Sequence, residues 1–176
     1  MARPLTTIDL RIPHIHQETD LWCWAAVTQM ITAHFKGLGH TPSQKEIVRM
    51  SLGQAPSAAW SQGIPNDGVV PNSDHFIRLI VKLLARRASD WYPPCTAEEL
   101  YAYLYFGNPV ILHMRLVDNL SHVVVVAGIR PTDVRGAFEV LLNDPARSIP
   151  SPFWAHYDAI YPAILQHMVV YKDINV

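Results

Sequence analysis

An α+β fold in one domain follows from three features of the sequence. Apolar residues recur at helical spacing through the first half, and β-branched runs dominate the second. The length, 176 residues, suits one domain with a core large enough to need no disulfide or metal staple. Helices come first and a small antiparallel sheet follows. The chain therefore reads as one domain over 1–176, mainly helical through residue 108 and mainly β from residue 109.

In chain order, residues 23–35 (CWAAVTQMITAHF) set Cys23, Val27, Ile31 and Phe35 on one four-residue ladder, with Ala26, Met30 and Ala33 beside it. Thr19 and Asp20 stand just before as candidate N-caps. Ser43 followed by Glu46 is a capping box that opens a short helix through about Met50. Residues 51–72 carry Gly53, Pro56, Gly63, Pro65, Gly68 and Pro71 and read as a loop. Ser73 can cap a helix with Phe76, Ile77, Ile80, Leu83 and Leu84 as its apolar positions, and Arg86 and Arg87 suit its last turn. Thr96 and Glu99 form a second capping box, for a helix that stops near Gly107. Strands are expected at Pro109–Met114, His122–Ile129, Phe138–Leu142 and Met168–Tyr171. Pro131, Asp133 and Gly136 suit a hairpin between the second and third. Residues 153–167 fit helix and strand equally well.

Composition narrows the partners. Apolar residues make up 49% and charged residues 16%, which suits a compact globule and argues against disorder. A formal net charge of -1 with no basic cluster argues against a nucleic-acid partner. The longest apolar stretches, such as Val123–Ala127, are too short to span a membrane. The N-terminus lacks the apolar run of a secretory signal, which leaves open export by a route that needs none. Cys23 and Cys95 can make at most one disulfide, and no CxxC pair exists. Nine histidines are many for this length, yet none falls in an HExxH or similar spacing, and no metal or other cofactor is expected. His14 and His16 are read as members of a solvated loop.

Four residues carry the chemistry. A thiol attacks only as thiolate, and the unsatisfied N–H groups of a helix start favour that charge. Cys23 is expected in such a first turn, although Asp20 nearby would oppose the charge. Gln17 lies six residues earlier, where its side-chain NH2 and the Cys23 backbone N–H can both donate to a developing oxyanion. His122 opens the strand HVVVVAGI, and Asp144 ends the next one in LLNDP. Antiparallel neighbours bring the beginning of one beside the end of the other, so Asp144 is placed to orient an imidazole whose second nitrogen faces sulfur. Singly, each is an ordinary loop glutamine, structural histidine or turn aspartate. The order Gln, Cys, His, Asp is what singles them out.

The segment QETDLWCWAA resembles the nucleophile motif of papain-like cysteine peptidases, in which Gln, then Cys six residues on, then Trp recur. It is most similar to the bacterial avirulence-effector cysteine proteases, with Trp on both sides of Cys. The double-glycine leader peptidases of bacteriocin exporters look like the next relatives. SHVVVVAGI and LLNDP match the later His before valines and the Asp-Pro of both groups. The resemblance implies a papain-like fold, its N-terminal helical part packed on an antiparallel sheet or half-barrel with the active site in the cleft between. It also implies Cys23 as nucleophile, His122 as base, Asp144 as orienter and Gln17 as oxyanion donor. Papain-type enzymes use Asn as orienter and Asn143 adjoins Asp144, but strand neighbours face opposite ways, and the relatives with Asp-Pro use the Asp.

The expected substrate is a polypeptide cleaved through a thioester. The same residues would serve an amidase or deamidase on cell-wall or protein amides or an acyltransferase, and a module that only binds would keep the fold. The effector resemblance implies a bacterial protein delivered into another cell. Too few residues precede Gln17 for a sizeable inhibitory pro-segment, so control would come from an activating or immunity partner. Trp22 is a candidate cleft residue for substrate, Trp24 a core residue, and Trp60 with Gly63–Gly68 a candidate groove border. Cys95 is expected to be a buried free thiol and His113 a core or cleft-wall residue.

Overall fold

The protein is described by a computed structural model that covers residues 6–51, 73–84, 87–116, 121–146 and 150–172, with the side chains of 73–78 excepted. The side-chain expectations for Ser73, Phe76 and Ile77, and those for Arg86, Trp60, Gly63–Gly68 and the loop from residue 52 onward, lie outside the described residues.

A short strand β1 (Ile8–Asp9) leads into an extended segment and then α1 (Cys23–Lys36), α2 (Gln44–Ser51), α3 (Ser73–Leu84) and α4 (Ala97–Tyr105). Strands β2 (Val110–Arg115), β3 (Ser121–Pro131), β4 (Phe138–Asn143) and β5 (Phe153–His156) follow, then a short helix α5 (Tyr157–Ile160) and β6 (Ile164–Val169). The antiparallel sheet runs β5-β4-β3-β2-β6, with β1 paired to the far end of β3. Both capping boxes form: Ser43 with Glu46, and Thr96 with Glu99. Gly107 takes φ 78° just past α4, a left-handed position that suits glycine.

The valine run of β3 is buried on both faces, the pattern of a strand covered above and below. Val123, Val125 and Ala127 pack with Ile111 and Met168 against α1, α2 and α3 through Val27, Ile31, Ile47 and Ile80. Val124 and Val126 face a second core with Leu100 and Leu104 of α4 and Tyr157 of α5. A register irregularity between Val126 and Gly128 against β4 lets Ile129 join that second core. The sheet is thus a middle layer, and α4 lies on the side away from α1. β1, which the sequence reading did not foresee, crosses at Gly128, where an added Cβ would lie 2.5 Å from the Ile8 carbonyl oxygen. The segment 153–167 splits into β5, α5, a single 3-10 turn and the start of β6, and so β6 begins earlier than the expected Met168.

Candidate active site

The site gathers at the N-terminus of α1, the first residue of β3's core run and the residue that follows β4. α1 starts at Cys23, as the apolar ladder predicts. Its cap differs from the expectation: Trp22 holds the N-cap position and no side chain caps the helix. Thr19 and Asp20 act through their backbones instead. The Trp22 N–H donates to the Thr19 carbonyl at 3.2 Å, and the Asp20 carbonyl accepts from the Gln17 Nε2 at 3.0 Å. The chain makes a turn between these two residues and the helix, which carries their side chains out of capping position. The first N–H groups of α1 are therefore not consumed by a capping side chain, and they meet the partly exposed Cys23.

His122 is buried, and its Nε2–H donates to Asp144 Oδ1 at 2.8 Å. With Nε2 so occupied, Nδ1 is the ring nitrogen left for its hydrogen bond with the Cys23 side chain. Burial alone would lower the imidazole pKa. The hydrogen bonds to Asp144 and Cys23 and the charges of both outweigh it and raise the pKa from 6.5 to about 9. β3 and β4 pair Val125 with Asn143. Asp144 follows directly on that pair, near the start of β3, within reach of His122. The adjacent Asn143 points away, its Nδ2 donating to the Ile12 carbonyl at 2.8 Å.

Asp144 is fixed on all sides. Its carboxylate Oδ1 also accepts from the Ala146 N–H, and its backbone N–H donates to Ser151 Oγ, both at 2.8 Å. Its carbonyl accepts from His14 Nε2 at 2.8 Å. The next carbonyl, of Pro145, accepts from the Gln17 N–H at 2.8 Å. Gln17, itself buried, is thereby tied both to the turn before Cys23 and to the segment that carries Asp144. Gln17, Cys23, His122 and Asp144, distant in sequence, share one locality.

The profile of the Peptidase_C39 like family matches residues 9–168, a span that takes in all four residues. The chain belongs to this family. Among solved structures it is similar to a Bacillus anthracis protein assigned as a C39-like peptidase, with TM-score 0.62 and 17% identity over 97% of this chain and 99% of that one. It is also similar to UfSP from C. elegans, with TM-score 0.62 and 15% identity over 96% of this chain and 34% of that one. Procathepsin L 3 of the Tenebrio molitor larval midgut aligns with TM-score 0.54 and 13% identity over 96% of this chain and 71% of that one. No curated protein matches. The fold is that of the papain-like and C39-like cysteine peptidases, as the resemblance of QETDLWCWAA implied.

Within this C39-like chain the other expectations sort by burial. Trp22 was expected at the cleft, but only 2% of it is exposed and it packs in the core on α1's side of the sheet. A large apolar ring at the entry of a helix is driven inward, so Trp22 supports α1 from behind and does not line a groove. Trp24 is in the same core, as expected. Cys95 is a buried free thiol. Burial pushes its pKa up, and Tyr157 Oη lies 3.7 Å from its sulfur. His113 sits half-buried in β2 beside Trp91, its ring centroid 5.7 Å away, and burial lowers its pKa. Of the two histidines expected in a solvated loop, His16 is exposed and His14 is half-buried; their rings meet edge to face at 4.5 Å, and His14 braces Asp144. Among the described residues no group of three or more His, Cys, Asp or Glu is placed to hold a metal ion, and no helix is long and apolar enough to cross a membrane. Sequence reasoning missed Ser151 and His14 as braces of Asp144, because such contacts depend on loop paths that no local pattern encodes.

Proposed function

We propose that this chain is a cysteine peptidase that hydrolyses peptide bonds through Cys23, His122 and Asp144. What supports the reading is one juxtaposition: a buried imidazole between a carboxylate at 2.8 Å and the thiol of the helix-start cysteine. The thiolate attacks the scissile carbonyl, forming a C–S bond and an oxyanion. The Cys23 backbone N–H and the Gln17 amide receive that oxyanion. Collapse breaks the C–N bond, and the His122 imidazolium gives its proton to the leaving amine. Water, deprotonated by His122, then attacks the thioester, the C–S bond breaks and the thiol is restored. Asp144 keeps the imidazole in the orientation and charge state that both steps require.

The substrate is a polypeptide in this proposal. Delivery into a target cell as an effector, and control by a partner protein, belong to the same proposal and draw on the resemblance around Cys23. The test is incubation of the protein and its Cys23→Ala variant with casein, purified wall muropeptides and an amine acceptor. Cleavage of casein by the parent and not by the variant supports the peptidase. Turnover of muropeptides or acyl transfer in place of casein cleavage assigns the same residues to an amidase or a transferase. Full activity in Cys23→Ala refutes the mechanism.

A further inference from the structure

Gln44, the first residue of α2, is a polar side chain only 1% exposed, and it belongs to none of the steps above. Its Oε1 accepts from the Glu18 N–H at 2.8 Å, and its Nε2 donates to the His16 carbonyl at 2.7 Å. One amide thus holds the backbone immediately before and immediately after Gln17, much as a neighbouring strand would. The same Nε2 donates to Gln29 Oε1 at 3.2 Å, and Gln29 Nε2 donates to the Pro42 carbonyl at 3.1 Å. Gln29 is carried by α1, the helix that begins at Cys23. The chain of amides therefore runs from the helix that presents one oxyanion donor, the Cys23 N–H, to the segment that presents the other, Gln17.

We infer that Gln44 is a positioning residue for the oxyanion site, setting the distance and angle between the Gln17 amide and the N-terminus of α1. This rests on the proposed role of Gln17. The physical ground is that an oxyanion donor is effective only within narrow geometry, where a displacement of about 1 Å costs on the order of a hundredfold in rate. None of Gln44's hydrogen-bond partners is Cys23, His122 or Asp144, so its loss is expected to disturb the oxyanion site more than the thiol–imidazole pair. A buried glutamine with merely structural duties would behave otherwise.

The test measures two reactions of Cys23. Alkylation by iodoacetamide needs the thiolate but no oxyanion site. Addition of a dipeptide aldehyde forms a C–S bond and converts the carbonyl to an alkoxide or hydroxyl that occupies that site, and it is read as protection of Cys23 from alkylation. In Gln44→Met, aldehyde affinity and kcat on casein are expected to fall about tenfold to a hundredfold, with alkylation within about twofold of the parent. In a Gln17→Ala background the same substitution is expected to add little, because both act on one donor. Gln44→Glu, which keeps the acceptor for the Glu18 N–H, is expected to lose less than Gln44→Met. Should Gln44→Met fail to fold, Gln29→Met, which cuts only the link to α1, is expected to lower aldehyde affinity by about threefold with alkylation intact. The inference is overturned if aldehyde affinity is unchanged in the variants, if alkylation falls in parallel with it, or if the losses of Gln17→Ala and Gln44→Met are additive. Failure of the underlying mechanism looks different: Cys23→Ala keeps activity, or the parent's Cys23 resists alkylation.

Discussion

Both cysteines of the chain sit at helix starts, and the two starts are built in opposite ways. Cys95 directly precedes Thr96, which caps α4 with a complete box: Glu99's N–H donates to the Thr96 hydroxyl, and Thr96's N–H donates to the Glu99 carboxylate. Cys23 is the first residue of α1, whose cap is a buried tryptophan with no capping side chain. At α4 the box takes up the Thr96 and Glu99 N–H groups, and the nearby thiol is buried, its pKa pushed up. At α1 they are left unclaimed by a cap, and the thiol is partly exposed beside His122. A capping box stabilises a helix by typically about 1 kcal/mol. Forgoing it at α1 leaves donors pointed at the place where negative charge would form. The difference teaches that two cysteines at helix starts can meet opposite surroundings: a capped start with a buried thiol, and an uncapped one with a partly exposed thiol.

The largest effect that would sharpen this contrast is Cys23→Ala, which is expected to abolish peptidase activity while Cys95→Ala leaves it within about twofold. Mapping iodoacetamide adducts by mass spectrometry checks the same point: Cys95 labelled as fast as Cys23 would break the comparison. Next comes Asp144→Ala, expected to lower kcat by about a hundredfold or more, since the imidazole loses its orienter. Asp144 also raises the His122 pKa, so the alkaline limb of the pH–rate profile should move down from about 9 toward 6.5 in this variant. In the parent, kcat/KM should fall as pH rises through about 9, because the imidazolium loses the proton destined for the leaving amine. The same group makes stability pH-dependent. Its folded pKa lies above its unfolded one, so its contribution is full below about pH 6.5 and is lost as pH climbs through about 9, a trend that denaturant titrations at several pH values will read. The smallest effect is Thr96→Ala, expected to cost about 1 kcal/mol and about 2–4 °C in Tm with kcat unchanged. A loss of activity there would couple the two helix starts and undo their separation.

Trp22 and the pair Thr19 and Asp20 show why part of the site was not legible. Each residue type fits the role expected of it, a cleft aromatic or a helix cap. Only the turn closed by the Trp22 N–H on the Thr19 carbonyl, and the pull of the core on a large ring, decide that neither role is taken. β1 was missed because two residues carry no periodicity, and its place depends on the absent side chain at Gly128. The Gln44 bracket around Gln17 likewise joins elements with no local pattern between them.

By itself the sequence made the helical and β halves and both capping boxes legible, because periodicity and capping are local, and it named Gln17, Cys23, His122 and Asp144 as candidates through their order along the chain. The tertiary structure alone decided that α4 covers the far face of the sheet, that Asp144 and not Asn143 meets His122, and that His14, Ser151 and Gln44 hold the segments in place. Those outcomes depend on strand register, side-chain facing and burial, which exist only once distant segments have packed.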